Sequence, residues 1–93
     1  MRTKILVVSL FTFLMVGCAS NPNSSLGMQC ENGLKTAYKE LDFAKANGFD
    51  GTVEYTKAVS LLGAAKIQQQ FGKYPNCIDK VERARVFIKA SQR

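Results

Sequence analysis

The chain divides into one apolar run, one polar stretch and three segments with helical periodicity. Residues 5–16 are apolar except for Ser9 and Thr12, and residues 19–27 are mostly small and polar without periodicity. An apolar run of this length is too short to cross a bilayer comfortably, since that needs about 20 residues. Beyond the polar stretch, apolar residues recur at spacings of three and four, which is typical of amphipathic helices. No segment alternates at period two long enough to predict a strand, so we expect an all-α fold.

The first predicted helix covers about residues 28–46. Its apolar face contains Cys30, Leu34, Ala37, Tyr38, Leu41 and Ala44. Asn47 and Gly48 predict its end, because these residue types readily adopt the left-handed backbone that follows a helix.

The second predicted helix covers about residues 52–71, with Asp50 or Thr52 as its N-cap. Glycine inside a helix costs about 1 kcal/mol relative to alanine, so Gly63 suggests close approach of another helix. Gly72 predicts the end of this helix. The third helix is expected to begin at Tyr74-Pro75, because proline is favoured at the first helical position.

Short connections make successive helices antiparallel, so the pattern predicts an antiparallel three-helix bundle in which the first and third helices run in the same direction. Cys30 and Cys77 then both lie in first turns at the same end of the bundle. An oxidising compartment would favour a Cys30–Cys77 disulfide, which the chain-entropy model values at about 4 kcal/mol. The alternatives are two buried thiols or a reactive pair.

The N-terminal pattern is typical of a secretory signal peptide, with basic residues first and a short apolar core after them. Its ending, with Gly17 directly before Cys18, resembles the lipobox of bacterial lipoproteins. Met15 departs from that pattern, since leucine is commonest at its position. The alternative is a plain signal peptide or a membrane anchor in which Cys18 is an ordinary residue.

The lipobox resemblance implies a division into three parts. Residues 1–17 would be the lipoprotein signal peptide, and residues 18–27 would be the lipidated Cys18 with a flexible tether that reaches about 30 Å when extended. Residues 28–93 would be the helical domain. Ala19 follows the cysteine where aspartate would favour the inner membrane, which implies anchoring in the outer membrane, facing the periplasm.

Residues 72–84 resemble the second half of a tetratricopeptide repeat. The matching positions are Gly72, Tyr74, Cys77, Val81 and Ala84. Leu62-Gly63 resembles the Leu-Gly pair of the repeat's first helix, although the interval from Gly63 to Gly72 is longer than in the repeat. The resemblance implies tetratricopeptide-like helix packing without a solenoid, since at least three repeats are needed to bury a continuous core. The whole chain also resembles the small helical lipoproteins of Gram-negative bacteria.

The composition argues against catalysis. The 93 residues include 13 Lys and Arg, 7 Asp and Glu, and no histidine, the commonest general base at neutral pH. Phosphate-binding loops, zinc-ligand spacings and nucleophile elbows are also missing from the sequence. Two carboxylate pairs remain. Glu40 and Asp42 are two positions apart and face different ways on a helix, whereas Asp79 and Glu82 lie among basic residues, which favours a solvated charged face. We therefore expect no enzyme activity, no cofactor and no metal site.

Partner-binding candidates come from aromatic and basic positions. The aromatic candidates are Tyr38, Tyr55 and Tyr74, for which boundary packing is favoured over a groove for a partner helix or peptide. Phe43 lies opposite the Leu34 face, where it either packs on Phe49 and the loop or offers an exposed contact. The basic candidates are Lys35, Lys39, Arg83, Arg85 and Lys89, although a solvated face is the favoured interpretation of these residues. The positive net charge favours acidic partners or anionic lipid. An exported protein rarely meets nucleic acid, so that partner is not expected.

Together these features predict an outer-membrane lipoprotein that acts as a small binding or scaffolding module for an envelope protein or cell-wall partner. One alternative is a periplasmic inhibitor or immunity-type protein that uses its basic helical face. Another is an envelope enzyme acting on peptidoglycan or lipid.

Overall fold

A computed structural model describes residues 21–93, which form three α-helices: α1 (Ser25–Ala46), α2 (Val53–Gln70) and α3 (Tyr74–Ser91). This part of the chain contains no strand, which confirms the all-α prediction. The predicted signal peptide (residues 1–17) and the first tether residues, Cys18 included, lie outside the described residues. Within residues 21–93, no helix has the length and apolar character needed to cross a membrane.

Helix α1 begins at Ser25, earlier than the predicted start at Met28. Ser24 is its N-cap, and the Ser24 Oγ accepts a hydrogen bond from the Gly27 backbone N–H at 3.0 Å. A serine in this role satisfies one of the unpaired N–H groups of the first turn, which is why the helix extends back to it. The prediction of a flexible tether over residues 18–27 is therefore wrong for residues 25–27.

The other helix boundaries follow local signals that the sequence contains. Gly48 and Gly72 have φ angles of 86° and 72°, the left-handed conformation expected after α1 and α2. Thr52 rather than Asp50 caps α2, because the Thr52 Oγ1 accepts from the Tyr55 backbone N–H at 3.1 Å. Pro75 lies in the first turn of α3, where its missing N–H has no cost.

The core is formed by one apolar stripe from each helix. Its buried members are Cys30, Leu34, Ala37, Leu41, Ala44, Ala58, Leu62, Ala65, Tyr74, Cys77, Val81, Ala84 and Ile88. Leu62 and Ile88 are the largest fully buried aliphatic side chains. Several core positions are alanine, so the helices approach closely and the core is narrow.

A disulfide joins Cys30 in the first turns of α1 to Cys77 near the start of α3, with the two Cα atoms 5.7 Å apart and 47 positions apart in the sequence. At the same end of the bundle, the Gln69 side-chain amide near the end of α2 donates to the Glu31 carboxylate at 2.6 Å. These contacts place the starts of α1 and α3 beside the end of α2.

The sequence predicted close approach of another helix at Gly63 in α2. The structure shows such an approach at Gly33 in α1, which faces Val81 in α3. Gly63 is exposed, and a Cβ placed there would meet no atom within 4 Å. A Cβ at Gly33 would lie 3.1 Å from the Val81 Cγ1, which is tighter than ordinary contact. The prediction for Gly63 is therefore wrong, because its face of α2 points to solvent.

Candidate functional site

A groove of about 520 Å³ lies between α2 and α3, next to the loop that precedes α2. We call it the α2–α3 groove. It is lined by Gly51, Thr52, Val53, Thr56, Lys57, Ser60, Leu61, Arg83 and Phe87. Leu61 and Phe87 are half-buried and pack against the core, so they form an apolar floor. Val53 at one end of the groove is 65% exposed.

Two cations lie along this groove, and no carboxylate is among its lining residues. The Lys57 ammonium lies 5.3 Å from the Phe87 ring centroid, within the range of a cation–π interaction. The Arg83 guanidinium is 3.7 Å from the Asp79 carboxylate, and both side chains are more than half exposed. An exposed pair of this kind contributes at most about 1 kcal/mol, so a carboxylate from another molecule can replace Asp79 at small cost.

A second groove, of about 440 Å³, lies between α1 and α2 and brings together the predicted residues Lys35, Tyr38 and Lys39. The Lys66 ammonium lies 5.2 Å from the Tyr38 ring centroid. Glu31 is also part of this lining, and its carboxylate is 3.9 Å from the Lys35 ammonium. The lining has both acidic and basic side chains, so this surface favours a partner of one charge less strongly than the α2–α3 groove does.

Phe43 is 61% exposed and lies beside a third depression of about 370 Å³, which Lys39, Glu40 and Lys89 also line. The Phe43 side chain is therefore exposed rather than packed into the core. The remaining predicted aromatics point inward to different degrees. Tyr74 is 7% exposed and belongs to the core, whereas Tyr55 is half-buried against it.

Arg85 on α3 forms a salt bridge with Glu40 on α1. Its Nε donates to the Glu40 Oε1 at 2.8 Å and its Nη2 donates to the Glu40 Oε2 at 2.7 Å. This two-bond geometry is the strongest form of an arginine–carboxylate pair. The hydrogen bond from Arg85 holds the pKa of Glu40 below its ordinary value, and the bond to Glu40 raises the pKa of Arg85.

The predicted site residues therefore fall on three surfaces, two of which share Lys39. Lys35, Tyr38 and Lys39 are together, Arg83 lies on the α2–α3 groove, and Phe43 lies on the third surface. The groove residues Val53, Leu61 and Phe87 were not among the predicted site residues. The sequence contains one indication of this groove. Leu61 and Leu62 are adjacent apolar residues, which widen the apolar surface of α2 beyond a single stripe.

Within residues 21–93, no group of three His, Cys, Asp or Glu side chains is placed to hold a metal ion. The arrangement offers surfaces for binding. Comparison with protein-family models, with curated protein sequences and with solved structures finds no match to the chain.

Proposed function

We propose that the protein is a membrane-anchored helical binding module that receives its partner in the α2–α3 groove. One observation carries this proposal: the groove combines an apolar floor with two cations and no lining carboxylate. The matching partner is a segment of an envelope protein that presents apolar side chains and at least one carboxylate. The lipobox pattern supports an anchor at Cys18 in the outer membrane, with the helices in the periplasm.

The groove suits a helical or extended segment. Its two walls are helices, and amphipathic segments commonly lay an apolar face into a groove of this kind. The floor supplies the apolar contact through Leu61 and Phe87, while Lys57 and Arg83 supply charge that favours one orientation of an acidic segment. The exposed Val53 side chain adds apolar contact surface at one end of the groove.

The inhibitor or immunity-type alternative depends on a continuous basic face, and that face is partly neutralised. Lys35 lies near Glu31, and Arg85 is bonded to Glu40. Paired cations attract an acidic enzyme cleft less strongly than free cations do. The binding module is therefore the better-supported function.

A photo-crosslinking amino acid at Ser60, in the groove, tests the proposal in intact cells. The matched control carries the same amino acid at Thr36, which is exposed on α1 and lines none of the three grooves. We expect one discrete adduct from position 60 and none from position 36. Equal labelling at both positions, or none at either, would contradict groove binding.

The crosslinked segment, once identified and synthesised, then allows an affinity measurement with the purified chain. Reversing both groove charges, by Lys57→Glu with Arg83→Glu, is expected to weaken binding at least about tenfold, which corresponds to about 1.4 kcal/mol. The control is Lys45→Glu, an exposed lysine outside the groove. An unchanged affinity in the double variant would show that the groove charges do not select the partner.

The anchor has a separate test, the intact mass of the chain extracted from membranes, with and without reductant. We expect a chain that begins at Cys18, carries acyl groups, and gains two hydrogens on reduction of the disulfide. The Cys18→Ser variant should lose the acyl groups. A parent chain that retains residues 1–17, or that lacks acyl groups, would refute the anchor.

A further inference from the structure

The residues just before α1 are folded against it. The Ser24 backbone N–H donates to the Asn21 carbonyl at 3.0 Å, and the Asn23 backbone N–H donates to the Asn21 Oδ1 at 2.9 Å. Gly27 is buried, and a Cβ there would come within 2.6 Å of the Pro22 carbonyl oxygen. The described chain is therefore folded onto the start of α1 from Asn21, which is three positions after Cys18.

This leaves little distance between the proposed anchor and the folded helices. Three residue steps separate Cys18 from Asn21, and an extended chain covers about 10 Å over that length. The inference therefore rests on the proposed acylation of Cys18. With the lipid in the bilayer, a separation of three residue steps holds this end of the bundle at the lipid head groups.

Three large apolar side chains are exposed at this end. Leu26 and Met28 in the first turn of α1 are 45% and 54% exposed, and Phe71 directly after α2 is 71% exposed. The Glu31–Gln69 hydrogen bond establishes that the end of α2 lies beside the start of α1. Phe71 and Met28 both lie beyond that bond, toward the tip of the bundle.

The charge at this end suits an anionic surface. Neither α1 nor α3 has an acidic residue in its first turn. Lys73 is exposed, two positions after Phe71. Exposed apolar side chains with a nearby lysine are the chemistry by which a peripheral segment binds lipid head groups, with the apolar groups entering the boundary between head groups and acyl chains.

We propose that this end of the bundle, formed by Leu26, Met28, Phe71 and Lys73, docks directly on the surface of the bilayer. The apolar side chains enter the head-group layer and Lys73 pairs with lipid phosphate. Docking at this end fixes the direction of the helices relative to the membrane. The α2–α3 groove, next to the start of α2, is then held away from the bilayer by the length of a helix that rises about 1.5 Å per residue.

The chain contains no tryptophan, so the fluorescence of a single introduced tryptophan reports how deeply that side chain lies in the bilayer. The experiment uses the full chain, processed in cells, purified from membranes and reconstituted into phosphatidylethanolamine–phosphatidylglycerol vesicles that contain brominated lipid. The test variant is Phe71→Trp. The matched control is Val53→Trp, a similarly exposed apolar residue at the start of α2, which is the opposite end of that helix.

We expect bromine to quench the fluorescence of the Phe71→Trp chain strongly and that of the Val53→Trp chain weakly. Lys73→Glu, added to the Phe71→Trp chain, should reduce the quenching, whereas Lys45→Glu should leave it unchanged. Equal quenching at both ends would overturn the proposal, because the bundle would have no fixed direction. Blue-shifted but unquenched fluorescence from the Phe71→Trp chain would also overturn it, by showing that protein rather than lipid covers this end.

The intact mass of the same preparations separates this inference from the proposed anchor. An acylated Phe71→Trp chain whose fluorescence is unquenched would overturn the docking and leave the anchor standing. A chain without acyl groups would overturn the anchor and, with it, the docking.

Discussion

Replacing Gly63 by alanine is expected to stabilise the bundle, whereas the same change at Gly33 is expected to gain nothing or to destabilise it. Both glycines lie inside helices, so both substitutions gain the same helix propensity, about 1 kcal/mol. They differ in what the new methyl group meets. At Gly63 nothing lies within 4 Å of the added Cβ, so the full gain should appear.

At Gly33 the added Cβ would lie 3.1 Å from the Val81 Cγ1. Val81 is only 3% exposed and cannot turn easily, because a β-branched side chain in a helix has one strongly preferred rotamer. The helices must therefore separate slightly, and overpacking of this kind costs about 1–3 kcal/mol. After the gain in helix propensity is subtracted, Gly33→Ala should lower the free energy of unfolding by about 0–2 kcal/mol.

Guanidinium unfolding followed by circular dichroism, with the disulfide intact, measures both variants beside the parent chain. Gly63→Ala should also raise the melting temperature, by about 4–8 °C for a gain of 1 kcal/mol in a domain of this size. Because helix propensity cancels between the two variants, their difference isolates the contact with Val81. Equal stabilisation by both substitutions would show that α1 and α3 separate without cost, and would refute the argument.

Three further predictions concern single contacts. Replacing Cys30 and Cys77 by serine should lower the free energy of unfolding by about 4 kcal/mol, since the bond closes a 47-residue separation, and denaturant unfolding measures the loss. The pKa of Glu40 is lowered in the folded chain, so the stabilisation from its bond to Arg85 is present above the unfolded-state pKa and is lost as the pH falls through the folded-state pKa. Glu40→Gln should remove that acid-dependent loss and cost about 1 kcal/mol at neutral pH, as unfolding across a pH series would show. Thr52→Ala should cost about 1 kcal/mol through loss of the α2 cap, and an unchanged unfolding midpoint would contradict that role.

The sequence predicted the helices because their signals are local. Apolar spacing located the core stripes, and glycines at 48 and 72 located two helix ends, where the backbone is left-handed. The disulfide was also predictable, since the order of three short-linked helices brings residues 30 and 77 to one end. Each of these inferences needs only neighbouring residues or the order of the elements.

The contacts that the sequence did not reveal depend on the rotation of one helix against another. Glu40 and Arg85 are 45 positions apart, and their local surroundings do not distinguish them from other surface charges. Gly33 and Gly63 look equivalent as helical glycines, yet one faces Val81 and the other faces solvent. The α2–α3 groove was not predicted either, because two helices and the loop before α2 contribute its lining residues.

The Cys30–Cys77 bond also determines what a protease can release. All of α2 and both connections between helices lie between the two cysteines, so the bond closes them into a covalent ring. One cut in either connection opens that ring but leaves the two fragments joined. The nicked chain keeps its core residues in one molecule, and separation of the pieces requires a reductant as well as the protease.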